Sequence, residues 1–221
     1  GVILTHGAGG DMNTKQLVLF SEQLAKDGFL VLRFTCKGLN LIHRSNIYLH
    51  VLVRFKQTSM LMSLPYSKPF LMYEKFGMIK EGRSMGSRAA VDVANRIKDD
   101  SDLKDFVTGV ICISYPLYPA KDKLKIRDKP IQELNKPVLF ISGSKDEMCA
   151  KDTLLDTLSQ NKNVSFYWVE EAEHSLEGKG LNLEDTVRQA CDKIGTWFKG
   201  LGIDLCTSHV KKKAVKRKSI K

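Results

Sequence analysis

Gly82-Arg83-Ser84-Met85-Gly86 is the segment of this 221-residue chain whose residue types and spacing best suit covalent chemistry. A serine flanked by glycines two residues away on each side suits a tight strand-to-helix turn. In that turn a side chain at either glycine would clash, and the following helix N-terminus favours a developing negative charge. Serine is a weak nucleophile unless a base removes its proton and a third group orients that base. The bland account of the same segment is a glycine-rich helix start with Ser84 as its cap.

The missing partners fall at matching places. Val138-Leu139-Phe140-Ile141-Ser142 reads as a buried strand, and Gly143-Ser144-Lys145-Asp146 puts an acid in the turn beyond it. Phe166-Tyr167-Trp168-Val169 reads as the next strand, with His174 a few residues past its end. Both side chains are therefore expected at the carboxyl edge of a sheet, where open α/β sheets hold their sites. In that arrangement His174 takes the Ser84 proton, while Asp146 holds the imidazole tautomer and stabilises its charge. The competing account makes Asp146 a turn acid, with Glu147 a weaker candidate for the same role. It makes His174 an exposed loop histidine among Glu170, Glu171 and Glu173. A fourth part is the turn His6-Gly7-Ala8-Gly9-Gly10, which follows the apolar run Val2-Ile3-Leu4-Thr5. Its backbone N–H at Ala8, with that of Met85 next to the nucleophile, would form an oxyanion hole. A phosphate-binding reading is weaker, since no Lys-Ser/Thr ending follows the glycines.

The elements needed to hold these residues are legible. Strands are expected at Val2–Thr5, Phe29–Phe34, Phe106–Ser114, Pro137–Ser142 and Val164–Glu170. Helices are expected at Thr14–Asp27, Ser87–Lys98, Asp152–Gln160 and Leu183–Lys199, the first with Leu17, Phe20, Ser21 and Leu24 on one face and Gly28 as its stop. Near-continuous apolar strands alternating with helices require a mostly parallel sheet covered on both faces, so the fold class is α/β.

Charge narrows the partners. The formal net charge is +10, from 35 Lys+Arg and 25 Asp+Glu. Residues 211–221 hold seven bases and no acid, and residues 45–81 hold five bases and two acids; 23 of each sign remain elsewhere. The body is neutral, so nucleic acid is expected to interact only non-specifically, through the basic tail. That tail, residues 207–221, is expected to be disordered, with two basic clusters at nuclear-import-like spacing or simply a solvated end. No apolar run approaches the ~20 residues of a membrane span, and no membrane association is expected. Five widely spaced cysteines without a C-x-x-C pair suit reduced thiols in a cytoplasmic or nuclear protein. His43, His50 and His209 lack metal-ligand spacing, and neither a metal nor a cofactor is expected.

The order Ser84, Asp146, His174 is that of the α/β-hydrolases. A finer likeness lies in Ile3-Leu4-Thr5-His6-Gly7-Ala8, Leu32 to Asn40, Gly82 to Ala90, Ile111-Cys112-Ile113-Ser114-Tyr115-Pro116-Leu117 and Leu139 to Cys149. Over about residues 1–44 and 82–200 these motifs resemble the testis-expressed hydrolase-like family, which is related to the third subunit of the non-specific-lethal chromatin complex. The resemblance implies an α/β-hydrolase fold with a dienelactone-hydrolase-like core. It also implies further strands upstream of Gly1, without which the first edge of the sheet would be bare.

Residues 45–81 depart from that pattern. They carry four of seven Met, six of eighteen aromatics and two Pro with no clean period. Family members have a helix and an aliphatic strand just before the serine turn, whereas here only Met78 and Ile79 suit a central strand. The segment reads as a replacement of that helix and strand, or as a lid-like insertion, within a single hydrolase-like domain spanning residues 1–206. Two functions follow. One is a serine hydrolase acting on a small ester or acyl substrate through Ser84, His174 and Asp146. The other is a non-catalytic subunit that keeps the fold and binds protein partners in a nuclear complex.

Overall fold

The computed structural model describes residues 1–61, 70–74, 85–120 and 122–202. In chain order the elements are β1 (Val2–Thr5), α1 (Lys15–Lys26), β2 (Val31–Phe34), α2 (Leu41–Leu61), β3 (Phe70–Glu74), α3 (Met85–Arg96), β4 (Val107–Ile113), α4 (Lys129–Gln132), β5 (Val138–Gly143), α5 (Lys151–Thr157), β6 (Val164–Val169) and α6 (Leu183–Gly200). The strands form one sheet in the order β2-β1-β3-β4-β5-β6, and every strand pairing among the described residues is parallel. The α/β expectation holds, and the expected elements shift by only a few residues at their ends.

The period-two alternation of the strands sends side chains to two separate cores. Ile3, Val110, Cys112, Val138 and Phe140 join Tyr48 and Leu52 of α2, Ala89, Ala90 and Val93 of α3 and Leu154 of α5 on one face. Their neighbours Val2, Leu4, Ile111, Ile113, Leu139 and Ile141 join Leu17, Phe20 and Leu24 of α1 and Val187, Ile194 and Phe198 of α6 on the other. Burial on both faces explains why these strands read as unbroken apolar runs. The inner face of α1 is the one its periodicity predicts: Leu17, Phe20, Ser21 and Leu24 are all buried. It stops at Gly28, whose φ of 91° suits glycine, with Gly28 N–H donating to Ala25 O (3.1 Å) and Phe29 N–H to Leu24 O (3.0 Å). That paired closure is the Schellman pattern, and Phe29 then packs in the same core as Leu24.

Within residues 45–81 the structure corrects the reading. A helix and a strand occupy the segment, and the strand is Phe70–Glu74 where Met78–Ile79 was expected; those two residues lie outside the described ones. β3 sits between β1 and β4, pairing Val2 with Leu71 and Ile3 with Met72 on one side and Met72 with Val110 on the other. α2 mixes polar and apolar side chains on its inner face, so its periodicity is not clean. Among the described side chains of α2, Arg44, Ser45, Tyr48 and Leu52 are fully buried, at helical spacing but with two polar and one phenolic side chain among the four. Tyr48 justifies its place by donating its hydroxyl to Ile3 O at 3.0 Å. The proposed tail, residues 207–221, also lies outside the described residues. Among the described residues no helix is long and apolar enough to cross a membrane.

Candidate active site

Parallel strands bring all their carboxyl ends to one edge, and the strand order locates a crevice along it. From β1 the chain passes through α1 to β2 on one side, then through α2 to β3 on the other. α1 and α3 consequently lie on opposite faces of the sheet, in different cores. The crossovers from β1 and β2 thus run to opposite sides of β1, and an open α/β sheet binds ligands at such a switch point. Ala8, in the loop after β1, and Met85, the first residue of α3, flank it; both are buried. The first N–H groups of a helix have no partner within the helix, so the Met85 N–H is available in principle to an anion. Ser84 and the glycine before it lie outside the described residues, directly ahead of Met85 in the chain.

The acid and the base come together. Asp146 follows β5 in a tight turn in which its N–H donates to Gly143 O (3.2 Å) and its carbonyl accepts from Cys149 N–H (3.1 Å). Its side chain is 0% exposed. Such a carboxylate needs donors, and it has them. Met148 N–H reaches Oδ1 at 2.8 Å, and His174 Nδ1 lies 2.9 Å from Oδ1 and 2.8 Å from Oδ2. A carboxylate only accepts, so the imidazole proton resides on Nδ1, and Nε2 is the basic nitrogen. His174 is 19% exposed, so its ring is anchored at Asp146 yet reachable from solvent. Glu147 is exposed and Asp146 is buried, which separates the two acid candidates. His174, set among Glu170, Glu171 and Glu173 in the sequence, is thus held by Asp146.

Packing of the two loops against each other explains the closeness. Ser144 N–H donates to Val169 O and Lys145 N–H to Ala172 O, each at 2.9 Å, and Glu171 N–H donates to Ser144 Oγ at 2.9 Å. The His174 loop crosses so tightly over the end of β5 that a Cβ on Gly143 would lie 2.1 Å from Ala172 O. On either side of His174 the backbone is left-handed at non-glycine residues, with φ of 63° at Glu171 and 59° at Leu176. Local strain of that sort persists only where surrounding contacts overdetermine it. Glu173 N–H donating to Glu177 O (2.8 Å) and Leu176 N–H to Glu173 O (2.9 Å) supply part of that restraint.

The glycine-rich turn is also held by side chains. His6 is 1% exposed; its Nε2 accepts from Cys36 N–H at 2.9 Å, which leaves the proton on Nδ1 for Gly7 O at 2.7 Å. Burial, and secondarily the nearby Arg44 guanidinium, lower its pKa below the usual histidine range, opposed by the Gly7 carbonyl and Asp11. Gly9 adopts φ of 76°, a conformation side chains resist, which accounts for a glycine there. Arg44, buried beneath this turn, is the residue that sequence reasoning missed. The one available signal was a cation at helical spacing from Tyr48 and Leu52, which looks like an exposed charge until the turn above it is in place. Among the described residues no three or more His, Cys, Asp or Glu gather as a metal site.

A model of the family described as an alpha/beta hydrolase domain matches residues 66–199, more than half of the chain. The chain belongs to the alpha/beta hydrolase domain family. Solved structures agree on the fold. Est1E from Butyrivibrio proteoclasticus superposes with a TM-score of 0.66 at 16% identity, over 90% of this chain and 88% of that one. An α/β serine hydrolase without lid from Xanthomonas campestris gives 0.61 at 14%, over 89% and 81%. Alpha/beta hydrolase domain-containing protein 10 from mouse gives 0.60 at 13%, over 91% and 90%.

Proposed function

We propose that the chain is a serine hydrolase that cleaves a small ester or related acyl substrate through Ser84, His174 and Asp146. The observation that carries the reading is the hydrogen-bonded pair of a fully buried Asp146 and a partly exposed His174 at the carboxyl edge of the sheet. Ser84 Oγ attacks the substrate carbonyl carbon as its proton passes to His174 Nε2. The resulting oxyanion accepts from the backbone N–H groups of Ala8 and Met85. Collapse breaks the bond to the leaving alcohol, which takes the proton from Nε2 and leaves an acyl group on Ser84. Water then attacks that acyl group, giving its proton to Nε2. Release of the acid returns the proton to Ser84. Asp146 stays ionised throughout and keeps the imidazole in the Nδ1–H tautomer. No step requires a cofactor.

Motifs around Thr5–Ala8, Gly82–Ala90 and Gly143–Cys149 support a place within the testis-expressed hydrolase-like branch of the superfamily. Est1E has been solved with ferulic acid bound, so a methyl cinnamate-type ester belongs in a first substrate panel beside p-nitrophenyl acetate. The decisive experiment is labelling with a fluorophosphonate probe, comparing wild type with Ser84→Ala and His174→Ala. Labelling in wild type alone supports the reading. Absence of Ser84-dependent labelling in a folded sample overturns it and leaves the non-catalytic subunit.

A further inference from the structure

Arg44 lies one turn into α2, is 2% exposed, and has no carboxylate partner among the described residues. Its guanidinium is spent on four backbone carbonyls. Nε donates to Gly38 O (2.8 Å), Nη1 to His6 O (2.7 Å), and Nη2 to Cys36 O (3.0 Å) and Gly7 O (3.1 Å). One side chain thus ties the loop after β1 to the loop after β2. His6 makes a second tie between the same loops, through Cys36 N–H and Gly7 O.

Gly7 O is therefore gripped by two side chains at once. In a trans peptide the C=O and the next N–H point in opposite directions. Holding Gly7 O toward Arg44 and His6 aims the Ala8 N–H away from them. The two partners belong to the loop after β1 and to α2, the helix that follows β2, so the orientation of this peptide is set jointly by the two loops they tie together. Among the described residues the Ala8 N–H donates to no acceptor. A buried cation normally carries a large desolvation penalty unless it is paired. Four carbonyl dipoles accept from four of its five N–H groups without cancelling its charge.

We propose that Arg44 is a positioning residue for the oxyanion-binding turn. With His6 it fixes the Gly7–Ala8 peptide so that the Ala8 N–H faces the crevice, and its uncancelled charge favours negative charge developing there. The proposal rests on the Ser84–His174–Asp146 reading for its catalytic consequence, but the aiming of the peptide is testable without it.

The first test compares wild type, Arg44→Lys and Arg44→Met in hydrolysis of p-nitrophenyl acetate, with inhibition by a trifluoromethyl ketone as a mimic of the oxyanion. Arg44→Met is expected to lower kcat by about 10²-fold, the scale of losing one oxyanion donor, with KM little changed and inhibitor affinity falling in parallel. Arg44→Lys keeps the charge but cannot span four carbonyls, and falls between. Unchanged kcat, or a loss confined to KM, overturns the proposal. The second test is amide exchange at Cys36, whose N–H donates to His6. In Arg44→Lys it should exchange about tenfold faster or more, with a shifted Ala8 amide resonance. Identical exchange and an unmoved Ala8 resonance overturn the proposal, including in a sample without Ser84-dependent turnover, where the triad reading alone has failed. Should Arg44→Met not fold, Arg44→Lys carries both tests.

Discussion

Gly143→Ala is the substitution whose outcome the structure fixes most tightly. Gly143 ends β5 and has no left-handed backbone, so alanine should be tolerated conformationally and should gain roughly 0.5–1 kcal/mol from a stiffer unfolded chain. Steric conflict opposes that gain. The new Cβ would lie 2.1 Å from Ala172 O, and 2.5 Å from both Ala172 C and Glu173 O, all of them backbone atoms. Relaxed carbon–oxygen contacts begin near ~3.3 Å, so the His174 loop must retreat by about 1 Å. Such a retreat stretches the 2.9 Å bond from Lys145 N–H to Ala172 O and the 2.8–2.9 Å bonds between His174 and Asp146 beyond useful length. Overpacking costs ~1–3 kcal/mol and each weakened bond about 1 kcal/mol, so a net loss of roughly 2–4 kcal/mol is expected. For a domain of this size the melting temperature should fall by ~5–12 °C. The rate of Ser84 labelling by a fluorophosphonate should drop about 100-fold, the usual consequence of a 1 Å misplacement. Circular dichroism melts and timed labelling measure both. A variant as stable as wild type, or more stable, would show that the loop yields freely and would refute the argument.

Other substitutions probe separate links. Asp146→Asn removes the charge and presents an amide to His174 Nδ1; esterase turnover should fall by ~10³–10⁴ while the melting temperature moves far less than in Gly143→Ala. Tyr48→Phe removes the buried hydrogen bond to Ile3 O and should destabilise by ~1 kcal/mol in urea titrations, with little change in labelling of Ser84. His6 titrates below the usual histidine range, so the unfolded chain binds its proton more tightly than the folded one. Its contribution to stability is complete above ~6.5 and is lost as pH falls toward the folded pKa. Urea midpoints between about pH 7 and 5 should therefore fall more steeply in wild type than in His6→Gln. Cys36, Cys112, Cys149 and Cys191 are all buried and unbridged, and burial, with the Asp146 charge second, pushes the Cys149 thiol well above the ordinary range. Native protein exposed to iodoacetamide should stay unmodified at these four positions by mass spectrometry, and react at all four in urea.

Much of the architecture followed from local chemistry. Continuous apolar runs at Val107–Ile113 and Val138–Gly143 can only be strands buried on both faces. Apolar periodicity over α1 and α6 supplies the helices that cover one of those faces. Asp146 and His174 were legible because each follows such a strand, and parallel strands must end at the same edge. The Asn182 side chain accepting from Glu184 and Asp185 N–H, where α6 begins, is similarly local.

What the chain order could not express was which polar groups face inward. Arg44 and Tyr48 look like surface residues of an irregular segment. Their burial is favourable only because the β1 and β2 turns and the Ile3 carbonyl present acceptors to them, and those of the β1 turn and Ile3 come from 37 to 45 residues away along the chain. β3 was misplaced for a related reason. Phe70-Leu71-Met72-Tyr73 lies next to two prolines and lacks the aliphatic signature of its neighbours, yet the space between β1 and β4 accepts it. Residue types and strand order determined that an acid and a histidine would share one edge of a parallel sheet. Only the tertiary structure decided that Asp146 and not Glu147 meets the imidazole, because backbone crossing over Gly143 sets the distance, and sequence spacing carries no such information.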